Sequence, residues 1–125
     1  MTALTTESRL ALAGALAGAG YKIYETPPPV PTPPCITFVA DTPWVRPSRI
    51  GSNLNYEVRW RILVVIKPRK NSAELLDAEN AVDALLALIP PGFEVAQVGP
   101  PQLTDTGAQG TVITTEIAVS AHMKE

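Results

Sequence analysis

Cys35 and His122 are the single cysteine and the single histidine of this 125-residue chain, and nucleophilic or acid–base chemistry would have to be built on them first. Neither has suitable company. Cys35 follows two prolines and precedes Ile36 and Phe38, an apolar setting that keeps a thiol protonated and inert, with no base or cationic pocket to name beside it. His122 falls near the C-terminus and reads as a surface or strand-end histidine. One cysteine excludes an internal disulfide and a cysteine-built zinc site, and one histidine excludes a multi-histidine metal centre. Glu74, Asp77 and Asp83 lie off the apolar stripe of a helical segment and read as its solvated face. Gly14 and Gly18 sit inside a helical pattern with no Gly-Lys-Ser/Thr after them, and neither a G-x-S-x-G elbow nor a zincin spacing occurs. The expectation is a protein that is not an enzyme, with no catalytic, cofactor or metal site. The two tryptophans differ: Trp60 has a core-facing register, whereas Trp44, beside Pro43 and near Arg46, reads as an interface anchor.

The formal charge of -2 conceals a division along the chain. From Thr42 to Lys70 seven cations (Arg46, Arg49, Arg59, Arg61, Lys67, Arg69 and Lys70) face one anion, Glu57, giving +6, whereas Asn71 to Glu125 carries eight carboxylates against Lys124, giving -7. Opposite charge on successive segments serves either a folded domain with polar faces or a contact between complementary copies. The pI near 5.4 argues against a dedicated nucleic-acid binder. No apolar run reaches the roughly 18 residues that cross a bilayer, and residues 10–19 lack the flanks of a cleaved signal, so the chain is expected to be soluble and intracellular.

These residues must be positioned by one domain, 1–125, with enough chain for one core. Thr5 or Thr6 is placed to cap a first helix with the ladder Leu12, Leu16, Ala19, closed by Gly18 and Gly20. Tyr21–Tyr24 is a short extended piece. Thirteen prolines are present, six of them between Pro27 and Pro34, where they read as a rigid connector. Cys35–Ala40 alternates as a strand, Asp41–Asn55 reads as a loop of about fifteen residues, and Tyr56–Ile66 is the clearest strand of all. That strand could reach about 36 Å, so part of it is expected to project. Asn71 and Glu74 form a capping box for a helix with the stripe Leu75, Ala78, Val82, Leu85, Leu86, Ile89, ended by Pro90-Pro91-Gly92. A strand from Phe93 to Val98, a break at Gly99-Pro100-Pro101, a turn-rich tip at 104–110 and a closing strand from Thr111 to about Met123 complete the order. The expected fold is α+β, a mainly antiparallel sheet of about four strands with two helices packed on one face. Leu63 and Val65 on the other face point to a contact with another chain.

The sequence resembles the tail terminator family of long-tailed, siphovirus-type bacteriophages, in the form common among phages of actinobacteria. The resemblance covers nearly the whole chain: the helix ending near Gly18-Ala-Gly-Tyr21, the proline-rich approach to Cys35-Ile-Thr-Phe-Val39, the strand Tyr56–Ile66, the helix 73–89 with Pro90-Pro91-Gly92, and Thr111–Val119. It implies a structural virion protein that forms a homo-hexameric ring at the head–tail junction, caps the tail tube, halts its polymerisation and offers a docking face to the head. The implied partners are the major tail tube protein and the head–tail connector or head-closure protein, with packaged DNA passing through the lumen without specific binding and with no membrane. Residues expected at subunit contacts are Trp44, Arg46, Arg49, Arg59, Arg61, Lys67, Arg69, Lys70, Glu94, Asp105 and Glu116, with Arg46, Arg49, Arg59 and Arg61 facing Glu94, Asp105 or Glu116 of a neighbour. The alternatives are a head-closure or connector subunit of the same virion, and a small cytoplasmic enzyme or ligand-binding protein with its site at Trp44.

Overall fold

The computed structural model describes residues 4–24, 34–50, 53–67, 73–105 and 111–124. Helix α1 spans Leu4–Leu16 and tightens into a 3-10 turn at Ala17–Ala19; β1 (Lys22–Tyr24), β2 (Cys35–Ile50) and β3 (Asn53–Ile66) follow, then α2 (Ala73–Leu88), β4 (Phe93–Val98), β5 (Gln102–Asp105) and β6 (Thr111–Lys124). The strands form one sheet in the order β1-β2-β3-β6-β4, with β5 continuing the β4 edge along β6. Only β1 and β2 are parallel; every other pairing is antiparallel. The expected α+β architecture is therefore present, with six strands because two short ones, β1 and β5, extend the sheet at its margins.

Alternation along β3 sorts the residues. Val58, Trp60, Ile62, Val64 and Ile66 are buried on one face, with Ile36 and Phe38 from β2 and Ile113, Ile117 and Val119 from β6. Leu12 and Leu16 of α1 and Ala78, Ala81 and Leu85 of α2 close over the same cluster, so both helices lie on one side of the sheet. Ser8 belongs to the same stripe of α1, and its hydroxyl accepts the Trp60 Nε1–H at 2.8 Å while donating to the Thr5 carbonyl, also at 2.8 Å. A buried indole N–H is thereby satisfied, and the helix is tied to the central strand at one point. Helix α1 begins at Leu4, so Thr5 and Thr6 are first-turn residues and not caps. Its far end closes at Gly20, whose φ of 84° suits glycine and whose N–H bonds to the Ala17 carbonyl.

Two expectations are corrected. Asp41–Asn55 is not a loop: β2 continues through Ile50 and pairs with β3 up to Ile50↔Asn53, forming a long hairpin. The prolines that obscure it are tolerated for local reasons. Pro43 falls where the register shifts between Ala40 and Val45, and Pro47 lies on a strand that, among the described residues, has no second neighbour beyond Thr37. The clear strand, expected to project in part, is accompanied by β6 to Asn55↔Lys124. In the same way Gln102–Asp105 is a strand, set by the Gly99 N–H bonding to the Glu116 carbonyl at 2.8 Å, which brings the chain back onto β6 after the two prolines. The proline run from 27 to 33, Asn71 of the capping box, and the tip at 106–110 lie outside the described residues.

Thr115 faces the core opposite Val64 with its hydroxyl buried and without a hydrogen-bond partner. An unmet buried hydroxyl costs about 1–3 kcal/mol, whereas a truncated core leucine costs about 2–5 kcal/mol through lost burial and a cavity. Urea unfolding is expected to show Thr115→Val more stable than the parent by about 1 kcal/mol and Leu12→Ala less stable by 2–5 kcal/mol.

Candidate interaction surfaces

The sheet face away from the helices carries the second phase of the β3 alternation. Arg46 and Asp41 of β2, Glu57, Arg59 and Arg61 of β3, and Glu116 of β6 form a continuous ionic chain across it. Asp41 lies 3.2 Å from Arg59 Nη2 and 3.8 Å from Arg61 Nε, and Arg61 Nη1 reaches Glu116 at 3.2 Å. Glu57 sits 3.9 Å from Arg59 and 3.8 Å from Arg46. Three guanidinium groups thus meet three carboxylates. At the β4 margin the His122 Nε2 stands 3.5 Å from Glu94, both side chains being mostly exposed.

The pairing changes how the charge division reads. Arg59, Arg61 and Glu116, expected to meet other copies, have opposite charges beside them within the chain. The signal for this lay in Glu57-x-Arg59-x-Arg61, an alternation that puts three charges on one face. Asp41 was hidden because its surroundings read as a loop. Lys67 follows β3 and is exposed, Arg49 stands in the hairpin opposite Leu54, and Asp105 ends β5 opposite Thr111. Arg69 and Lys70 lie outside the described residues.

The expected apolar contact at Leu63 and Val65 is largely closed inside the chain. Val65 is buried with Cys35 and Val112, and Tyr24 and Leu63 pack against them. Burial raises the Cys35 thiol pKa, with Lys22 opposing the shift more weakly. Exposed large apolar side chains occur on the helices, at Leu10 and Leu76, and at the two sheet edges. Trp44, 44% exposed, stands on the β2 bulge and meets buried Trp60 edge-on at a centroid separation of 5.6 Å. On the opposite edge Val95 and Val98 of β4 are 38% and 41% exposed.

An open groove of about 360 Å³ lies at the C-terminal end of β3, lined by Tyr21, Pro34, Ile66, Lys67, Asp77 and Asn80, away from the bulge that carries Trp44. Among the described residues no three His, Cys, Asp or Glu side chains are grouped to hold a metal ion, and no helix is long and apolar enough to cross a membrane. No protein-family model matches the chain, and no curated protein matches its sequence.

The inner and outer members of the ionic chain differ in solvent screening. The Asp41–Arg59 side chains are 16% and 23% exposed, whereas Arg46 is 63% exposed beside Glu57. Double-mutant cycles with alanine, read by urea unfolding, are expected to give a coupling of about 1 kcal/mol for Asp41–Arg59, shrinking in high salt. The Arg46–Glu57 cycle is expected to give a coupling within error of zero.

Proposed function

We propose that this chain is a structural virion subunit, a phage tail terminator. Six copies form a ring on the end of the tail tube, stop its polymerisation and present the surface on which the head docks. The reading draws on the residue resemblance over nearly the whole chain. It is carried structurally by one observation, the unlike chemistry of the two sheet edges. The β2 edge bears Trp44 and Arg46, and the β4 edge bears Glu94, Val95 and Val98. A subunit with two different, complementary margins associates head to tail, and head-to-tail contacts generate rings when the rotation closes.

The long paired strands suit the task. β2, β3 and β6 are 16, 14 and 14 residues long and hold one another in register, which makes a stiff plate on which the two margins stay at fixed positions. Neutralisation of the arginines within the outer face leaves it near charge balance, so that face would not hold passing DNA strongly by phosphate attraction.

Native mass spectrometry and negative-stain electron microscopy of the purified chain, alone and mixed with the major tail tube protein, test this reading. The expected result is a ring of six that binds tube ends and arrests their growth. A chain that stays monomeric and leaves tube polymerisation unchanged at high concentration refutes it, and a ring that binds the connector but not the tube assigns it to head closure instead.

A further inference from the structure

The edges of the sheet match in more than their chemistry, because strand register places the matching groups at nearly the same height. One row runs from Ala40 through Trp60 and Val119 to Val95; the next runs from the β2 bulge, which contains Trp44, through Arg59 and Ser120 to Glu94. The following row runs from Val45 through Val58 and Ala121 to Phe93, and the one after it from Arg46 through Glu57 to His122. Trp44 therefore shares a row with Glu94, next to Val95, and Arg46 stands two residues further along β3, about 7 Å away.

The sides of the sheet match as well. Trp44 leans on Trp60 and so lies on the helix-bearing side, as does Val95, whose row partners Trp60 and Val119 are core residues. Arg46 and Glu94 lie on the opposite side, within the ionic face. Both are exposed, and their contacts to Glu57 and His122, at 3.8 and 3.5 Å, are long enough to exchange at little cost for a partner across an interface.

From this placement we infer that the β2 edge of one copy seats against the β4 edge of the next, with Trp44 packing on Val95 and Val98 and Arg46 pairing with Glu94. The inference rests on the ring reading proposed above and specifies its contact. Because the offset of about 7 Å between Arg46 and the Glu94 row is within the reach of an arginine side chain, the copies can meet side by side with little slide along the strands. A contact without translation closes into a ring, whereas one with translation winds into a filament. Pro43 and Pro47 lack N–H groups, so this stretch of β2 cannot offer a continuous backbone ladder, and side chains carry the contact. A tryptophan held edge-on by a second, buried tryptophan is already ordered before it binds and loses little freedom on docking.

Sedimentation equilibrium of the full chain tests the contact through Glu94→Arg, Arg46→Glu, the two combined, and Trp44→Ala, with circular dichroism confirming that each variant is folded. Each single reversal is expected to weaken self-association about tenfold, and the combined exchange to restore it to within about threefold. Trp44→Ala is expected to weaken it about thirtyfold. An assembly unmoved by the single reversals overturns this contact while leaving the ring reading standing. Single reversals that weaken without recovery in the exchange overturn the Arg46–Glu94 pairing. A parent chain that is monomeric, alone and with tail tube protein, overturns both.

Discussion

Everything in this molecule follows from the alternation of β3 and its pairing on both sides. The strand is held by β2 and β6 along nearly its whole length. Its even-numbered residues, from Val58 to Ile66, supply the centre of the core, and Glu57, Arg59 and Arg61 supply the centre of the ionic face. A slip of one residue would drive three charges under the helices and five apolar side chains into water, so the register is fixed by a penalty far larger than any single contact. The Trp60–Ser8 hydrogen bond then fixes where α1 sits on that strand, and the Trp60 ring in turn supports Trp44.

The same constraint determines where charge is spent. A +6 segment beside a -7 segment invites the idea of two free patches, but folding places Asp41 and Glu116 next to Arg59 and Arg61 and cancels much of the contrast locally. At the margins Arg46 and Glu94 are exposed and only loosely paired, and these are the charges proposed to act between copies. Among the apolar groups Val65 is enclosed, whereas Trp44, Val95 and Val98 stay exposed at the edges and Leu10 and Leu76 on the helices.

The core-forming elements were legible in the sequence because each obeys a single period. Leu12 and Leu16 mark α1, Ala78 and Leu85 mark α2, and Ile113, Ile117 and Val119 mark β6, all at the faces their spacing requires. The hairpin from Asp41 to Asn55 was not legible. Its period is interrupted by a bulge of four residues opposite Arg59 and by prolines that an edge strand tolerates and a central one does not. β5 was missed because it is four residues long and preceded by two prolines, and what identifies it is a bond between distant residues, Gly99 and Glu116. Of the surface residues, Trp44 reads as an interface anchor from its place beside Pro43 and near Arg46, but its neighbour Trp60 and the register that aligns it with Val95 exist only in three dimensions.

The central claim is that copies of this chain close a ring through opposite sheet edges. Cross-linking with a short bismaleimide, whose spacer covers the offset between the two positions, reads it directly, with Arg46→Cys and Glu94→Cys introduced together and the native Cys35 enclosed in its own cluster. The reagent is predicted to give a ladder of covalent species that stops at the hexamer, each copy being joined to two neighbours. A product that remains monomeric, or a ladder that continues without a terminal species, would contradict it.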